Sequence, residues 1–468
     1  MNNSSRRSDP SRALPQWLKR LQWRGNQLLK PSCTALWYLS ILSIGALPFK
    51  IARIVVGPFS VPLSAILIVL LSACLIPMAA LDRGTKGRRL FRGCWALSGL
   101  AISVVLPLLF GRQPTGAVLE MAFYLWVPIV LAFAAPRHDS VRKAIWLLTL
   151  GAVIWAIWGL ILYFSGMEST TGLPAALTLG DRNSYSFMLG STFFLLLGVG
   201  LSGSRHNVWV RTVVITIVGS IILAAIVLSF SRGAWVATSL GFMTILISVR
   251  FKRSLLVAAS VLMCALLIAA GLGLSDYSFA DLRGDLSRRI VASASAIADF
   301  AKLHPSQVGE TDEGERVSGT NIRVIALQRS WDVLIDDPLI GIGAGNFARL
   351  VPIPVRGGRL AHPHNAYVHV WVEQGAIGII SFGILLLAAF TALYTRARRE
   401  ANVSGLATGF AAALTSISAV LLFESFHNFL FLWVFYGLIL VFLSSDGFFQ
   451  QGTGILEDQP PYQEYQGR

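Results

Sequence analysis

Three of the seven histidines in the sequence lie close together, in AHPHNAYVHVWVEQGAIG at residues 361–378. Imidazole is the side chain best suited to take up or release a proton near neutral pH. Pro363 favours an extended backbone at His362, and Asn365 is a favourable N-cap for a helix that continues into the apolar residues beyond it. The positive end of such a helix disfavours imidazolium and attracts anions. The stretch therefore predicts His364 as a base beside an anion site.

Other interpretations of these residues stay open at this point. His364 alone is compatible with an interfacial histidine that has no catalytic role, and Asn365 with a helix cap and nothing more. Asn365, His369 and Glu373 recur at i, i+4 and i+8, which places them on one face of a helix. That face would either support the site or line a wet cavity.

Two arginines from distant parts of the chain, Arg182 in LGDRNSYSF and Arg232 in LSFSRGAWVA, each interrupt an apolar stretch. Ionisable residues at membrane spans are costly and so indicate function, although snorkelling to the interface is the alternative. Planar guanidinium groups suit bidentate binding of phosphate. We therefore predict that both arginines bind an anion.

The residues around these groups complete the predicted site. His362 and His364 are both candidates for the base. Arg356 and Arg359, just before the histidines, would hold acceptor phosphates or be ordinary solvated charges. The predicted substrate-binding residues are Arg182, Arg232, Asn365, His362, Arg356, Arg359 and His369.

The composition places these residues in an integral membrane protein. Of 468 residues, 54% are hydrophobic and only 13% are charged, whereas soluble domains have about 25% charged residues. A membrane-spanning helix needs about 20 predominantly apolar residues, and windows of that kind predict an all-α protein with about 12 transmembrane helices. The windows are 33–49, 60–81, 91–110, 117–135, 144–165, 184–202, 208–228, 233–249, 254–274, 373–394, 403–423 and 427–445.

The basic residues of the short loops give an orientation, because cytoplasmic loops carry an excess of Lys and Arg. With a cytoplasmic N-terminus, fifteen basic residues lie in the short inner loops and five in the short outer ones. Arg182, Arg232 and His364 then all face the outer side. The net charge of +15 follows mostly from this bias and from contact with anionic lipid, so it indicates no nucleic-acid partner.

These spans divide the chain into five predicted regions. Residues 1–32 form a basic interfacial segment on the cytoplasmic side, and 33–274 carry spans one to nine. A long periplasmic loop, 275–372, holds the histidines. Spans ten to twelve occupy 373–445, and the polar residues 446–468 form a disordered cytoplasmic tail.

Two motifs lie within the long loop. Residues 321–337 show helical periodicity, and Pro338 ends the helix. GIGAGNF at 341–347 superficially suggests a nucleotide loop, but no strand precedes it as such a loop requires. A tight turn that closes a helical hairpin is the better interpretation.

Motifs for other chemistries are absent from the sequence, which contains no HExxH, no GxSxG and no Walker A pattern. The spacing of the four cysteines is not typical of metal ligands, so we interpret them as small buried hydrophobic residues. No cofactor and no metal ligand are predicted, although a divalent cation is not excluded by the scattered acidic residues of the long loop.

The chain resembles the superfamily of O-antigen ligases and Wzy-type polymerases, bacterial inner-membrane glycosyltransferases. HNAYVHVWVEQGAIG is similar to the ligase pattern through His364, Asn365, Gly375 and Gly378, and SRGAW, DRNSYSF and DDPLIGIGAGNF support the likeness over roughly 180–445. The resemblance implies a GT-C-type helical fold and an undecaprenyl-pyrophosphate-linked glycan donor. It also implies no nucleotide or metal requirement, and it assigns Arg182 and Arg232 to the donor pyrophosphate and His364 to an essential role.

These expectations combine into a glycosyltransferase of the bacterial inner membrane with its site facing the periplasm. An O-antigen ligase would transfer the glycan, with inversion, to a sugar hydroxyl of the lipid A-core oligosaccharide. A Wzy-type polymerase would use a second lipid-linked glycan as acceptor, and a protein O-oligosaccharyltransferase is a further alternative. A secondary transporter of an anionic solute is the rival from another class, but transporters usually carry broken helices in two related halves, which the sequence does not show.

The predicted orientation is testable with reporter fusions. Alkaline phosphatase needs an oxidising compartment for its disulfides, so a fusion after residue 300 should be active and a fusion after residue 400 inactive. A fluorescent protein that folds only in the cytoplasm should give the opposite pattern. Activity at 400 with none at 300 would reverse the topology.

Overall fold

A computed structural model gives the structure of part of the chain. The described residues are 31–43, 53–56, 59–62, 66–73, 85–110, 116–135, 140–164, 182–202, 208–229, 231–248, 319–351, 354–355, 358–359, 362–399, 404–425 and 430–444.

Helices dominate these residues. They comprise α1 (31–43), α2 (66–73), α3 (Thr85–Leu109), α4 (Gly116–Ala134), α5 (Ser140–Phe164), α6 (Arg182–Leu201), α7 (Val208–Leu228), α8 (Arg232–Ser248), α9 (Gly319–Asp336), α10 (Phe347–Leu350), α11 (Ala366–Arg399), α12 (Ser404–Val420) and α13 (Leu430–Ser444). Two short antiparallel hairpins accompany them, β1 (Arg53–Val56) with β2 (Phe59–Pro62) and β3 (Pro354–Val355) with β4 (Gly358–Arg359).

The prediction of a helical membrane protein is confirmed in this general form. Four described helices are long and apolar enough to cross a membrane, at Ser140–Leu162, Asn183–Leu201, Trp209–Leu228 and Ala366–Arg399. Four shorter apolar helices lie at Leu97–Leu109, Val118–Ala134, Ser404–Val420 and Leu430–Ser444. The total of twelve remains a prediction, and the expected span at 254–274 lies outside the described residues.

The expected span at 60–81 is wrong at its beginning. Residues 60–62 belong to β2, and helical residues begin only at 66. The physical reason lies in residue type, because Ile54, Val55, Val56 and Val61 are β-branched and favour an extended backbone over a helix.

Small residues bring α6 and α12 unusually close together. A Cβ added to Gly198 would lie 2.8 Å from the Cα of Gly409, and one added to Gly409 would lie 2.5 Å from the Cα of Gly198. Small residues let helix backbones approach in this way inside membranes, where association depends on packing rather than on hydrophobicity. Both helices are consequently central, and nearly every residue of each is buried.

This contact sets which residues meet at the end of the helix pair. Asn183 lies fifteen residues before Gly198, and Glu424 lies fifteen residues after Gly409. At about 1.5 Å per helical residue, Asn183 is roughly 22 Å from the crossing point. Glu424, four residues past the end of α12, lies in the same direction because the helices are antiparallel. The side chains do meet, with Asn183 Nδ2 donating to Glu424 Oε1 at 2.8 Å.

Substitution of Gly409 tests this packing. Gly409→Ala should push α6 and α12 apart and lower the free energy of unfolding by about 1–3 kcal/mol, as overpacking does. Gly383→Ala is the matched control, since nothing lies within 4 Å of its added Cβ. Thermal unfolding in detergent measures the stability of the two purified variants. Equal unfolding midpoints for Gly409→Ala and Gly383→Ala would contradict the close contact.

Candidate active site

The beginning of α11 is held by a side-chain cap and by a neighbouring helix. Asn365 Oδ1 accepts hydrogen bonds from the backbone N–H groups of Tyr367 at 3.0 Å and Val368 at 3.1 Å. The N–H of Ala366 donates to the carbonyl of Leu421 at 2.8 Å, at the end of α12. Three of the four N–H groups that a helix start leaves open are thus satisfied, and the loop before α11 is fixed beside the residues that follow α12.

His364 is the centre of the site. Its Nδ1 lies 2.8 Å from Oε1 and 2.9 Å from Oε2 of Glu424. Its backbone φ is 54°, and it is the one described residue other than glycine with a positive φ. Such backbones are uncommon and cluster at functional sites, although histidine tolerates them better than most residues. The geometry therefore fixes both the position of the imidazole and the direction of its ring.

The carboxylate of Glu424 is ionised and determines which ring nitrogen of His364 carries the proton. Burial would raise the pKa of Glu424, but the hydrogen bond from His364 and the electrostatic effects of His364, His362 and Arg323 bring that pKa below its ordinary value. An ionised carboxylate only accepts hydrogen bonds, so Nδ1–H of His364 is the donor. In the neutral form of the ring, Nε2 then carries the lone pair.

Glu424 also joins three other elements. Its Oε1 accepts from Asn183 Nδ2, and Asn183 Oδ1 in turn accepts from Ser231 Oγ at 2.7 Å. Arg323 of α9 places Nη2 3.4 Å from Glu424 Oε1. A single buried carboxylate thus links α6, α8 and α9 to the segment after α12, a concentration of polar contacts that makes its removal costly.

The same contacts bring together the beginnings of the two helices that carry the predicted arginines. Arg182 is the first residue of α6 and adjoins Asn183, whereas Arg232 is the first residue of α8 and adjoins Ser231. The side chain of Arg232 is exposed. Ser231 caps α8 through a hydrogen bond from the N–H of Ala234 to its Oγ at 3.3 Å. Two positive helix ends and two arginine positions therefore lie beside His364.

His362 and His369 form an inner layer behind His364. The rings of His362 and His364 lie 4.5 Å apart, and those of His362 and His369 lie 6.3 Å apart. Burial, followed by the neighbouring charge of His364, lowers the pKa of His362 to about 4. Its imidazole is therefore neutral at ordinary pH. His369 is buried, with Nε2 3.2 Å from Oε1 of Glu373.

A kink in α11 explains the glycine-rich turn at 341–347. Gly375 has a φ of 66°, which interrupts the helix and frees the carbonyls of Val372 and Glu373. The N–H groups of Ile342 and Gly343 donate to these two carbonyls at 2.9 and 2.8 Å. The Cβ that any other residue would carry at 375 would lie 2.1 Å from the carbonyl oxygen of Leu339. The turn is structural, and it holds the loop helix α9 against α11.

The structure brings some of the predicted site residues together but not all of them. His362, His364, Asn365 and His369 lie together, and the backbones of Arg182 and Arg232 begin helices beside them. Arg359 lies in β4, and Arg356 lies outside the described residues.

Asn183, Ser231, Arg323 and Glu424 were not among the predicted site residues. Glu424 carried a sequence signal, as a carboxylate in an apolar stretch on the same predicted face of the membrane. Asn183 and Ser231 adjoin the two arginines, whereas nothing in the sequence distinguished Arg323.

The family model described as O-antigen ligase matches residues 217–383, which include Arg232 and His364. No curated protein matches the chain significantly. Over these residues the chain is similar to O-antigen ligases, in agreement with the motifs that resemble the superfamily of O-antigen ligases and Wzy-type polymerases.

The cap at the beginning of α11 makes a prediction about stability. Asn365→Ala should lower the free energy of unfolding by about 1 kcal/mol, the usual effect of losing an N-cap. Asn365→Asp keeps an acceptor for the same two N–H groups and should unfold at nearly the wild-type temperature. The measurement is thermal unfolding in detergent, and a destabilised Asp variant beside a stable Ala variant would refute the capping role.

Proposed function

We propose that the protein is an O-antigen ligase of the bacterial inner membrane. It transfers a glycan from an undecaprenyl-pyrophosphate donor to a sugar hydroxyl of the lipid A-core oligosaccharide at the periplasmic face. The observation that carries the proposal is the pairing of His364 Nδ1 with both oxygens of Glu424, beside the helix beginnings that bear Arg182 and Arg232. The family match supports the class of reaction.

His364 is the base in this reaction, and Glu424 orients it. Nε2 of His364 takes the proton of the acceptor hydroxyl as the oxygen attacks the anomeric carbon of the donor. Glu424 holds the ring in the tautomer that accepts at Nε2 and stabilises the imidazolium that forms, as the carboxylate does in other His–carboxylate pairs. General-base assistance of this kind contributes about 10²–10⁴ in rate.

The arginines act on the leaving group. The bond between the anomeric carbon and the donor phosphate oxygen breaks as the new glycosidic bond forms, so one displacement inverts the configuration. Negative charge grows on the departing pyrophosphate, and Arg182 and Arg232 with their two helix ends stabilise it. The donor is already activated, so the reaction needs neither ATP nor a metal.

The acceptor distinguishes the ligase from the polymerase alternative. A polymerase would use the same base and the same arginines with a second undecaprenyl-linked glycan. Purified protein should transfer labelled glycan to lipid A-core oligosaccharide when both acceptors are supplied. Elongation of the lipid-linked glycan with no transfer to lipid A-core would replace the ligase by the polymerase.

Two substitutions test the His364–Glu424 pair. His364→Asn tolerates the left-handed backbone but supplies no base, so the transfer rate should fall by about 10²–10⁴. Glu424→Gln presents an amide where His364 needs an acceptor, and a comparable fall is expected because the ring loses its fixed tautomer. The assay is glycan transfer from a lipid-pyrophosphate donor without added metal.

Gly383→Ala, on α11 and in open space, is the control and should keep wild-type transfer. Thermal unfolding of each variant separates a chemical defect from a folding defect. Undiminished transfer by a folded His364→Asn protein would overturn the proposed base.

A further inference from the structure

We propose that His362, His364 and Glu424 form a zinc site, and that zinc bound there inhibits transfer. Each of the three residues offers one ligand atom, and these atoms all lie within 4.8 Å of one another. The binding of zinc stands on this geometry alone. The inhibition additionally rests on the proposed function, because it requires His364 to be the base.

The kinds of ligand favour zinc over other common divalent cations. Two imidazole nitrogens and one carboxylate oxygen are the protein ligands of one type of zinc site, in which a fourth position stays open. Mg²⁺ and Ca²⁺ prefer oxygen ligands, whereas imidazole suits zinc and its transition-metal neighbours. The ligand set therefore selects a first-row transition metal ion.

The geometry requires only a small contraction. Bonds from zinc to nitrogen or oxygen are about 2.0–2.2 Å long, so ligand atoms around a tetrahedral ion are about 3.3–3.6 Å apart. Movements of about 1 Å by the three side chains would close the site around an ion of this size. The side chain of His364 is 25% exposed and that of Glu424 7% exposed, so the site is accessible on one side and buried on the other.

His362 supplies an independent indication of a ligand. Its Nδ1 is buried and has no hydrogen-bond partner among the described residues. Buried polar atoms are nearly always hydrogen-bonded, and an exception calls for an explanation such as an ion. No step of the proposed transfer reaction requires this nitrogen, and a metal bond would satisfy it.

Arg323 opposes the ion and sets how tightly it binds. Its Nη2 lies 3.4 Å from Glu424 Oε1, and its side chain is 38% exposed. Zinc would compete with this guanidinium for the carboxylate, and the half-exposed arginine can turn toward solvent. Removal of Arg323 should therefore strengthen zinc binding.

Zinc removes the basic nitrogen of His364 whichever ring atom it binds. If zinc binds Nε2, it takes up the lone pair that would accept the acceptor's proton. If zinc binds Nδ1, the single N–H proton of the neutral ring moves from Nδ1 to Nε2, with no net release of a proton. Either arrangement leaves no lone pair for the acceptor hydroxyl.

Calorimetric titration of the purified full-length protein with ZnCl₂ tests the site. The protein carries no histidine tag and is first stripped with a chelator. One ion should bind per chain, His362→Ala and Glu424→Gln should each abolish that binding, and Arg323→Gln should tighten it several-fold. His138→Ala, which changes a histidine in a predicted cytoplasmic loop, is the matched control and should bind zinc as the wild type does.

Two further readouts make the result specific. Co²⁺ in place of zinc should give visible absorption bands typical of a tetrahedral site, and these bands should be absent from His362→Ala. Zinc should inhibit glycan transfer by the wild-type protein, with recovery on addition of chelator. Unchanged zinc binding in folded His362→Ala, or no stoichiometric binding by the wild type, would overturn the site. Binding without inhibition would overturn the base assignment to His364 while leaving the site intact.

Discussion

The close antiparallel packing of α6 and α12 is the constraint on which the site depends. At Gly198 and Gly409 the two backbones approach so closely that neither position has room for a Cβ. The contact fixes the axial register of the two helices, and this register brings Asn183 and Glu424 to the same level at one end of the pair. A helix shifted by one residue along its axis would move by about 1.5 Å, enough to break the 2.8 Å hydrogen bond between them.

The site itself is organised by one buried carboxylate. Glu424 binds His364, accepts from Asn183 and lies beside Arg323. The left-handed backbone of His364 costs about 1–3 kcal/mol, and a hydrogen bond to a charged group contributes about 1.5–3 kcal/mol. The two terms are comparable, so the contact with Glu424 is sufficient to hold His364 in a conformation that it would otherwise leave. The N–H of Ala366 donating to Leu421 adds a second attachment.

A second support comes from the other end of the histidine-rich stretch. The break at Gly375 frees two carbonyls of α11, and the turn at 341–343 satisfies them. A freed carbonyl in a buried place must find a donor, so the kink and the turn depend on each other. The turn at 341–343 also fixes α9, the helix that carries Arg323. The turn at 341–343 and the helix α9 are thereby attached to α11.

The sequence by itself predicted the helical membrane character and most positions of the described helices, and it singled out the central histidine as a candidate base. Composition and periodicity are local properties, and the run from His364 to Gly378 specifies a capped helix without reference to other segments. The prediction from sequence was wrong at residues 60–62. There the β-branched residues favour a strand, whereas the hydropathy favours a membrane helix. Only the tertiary structure identified Glu424 as the partner of His364, sixty residues away, and brought Asn183, Ser231 and Arg323 to it. These contacts depend on helix register and on close glycine packing, which are properties of pairs of segments and leave no periodic signal in either one.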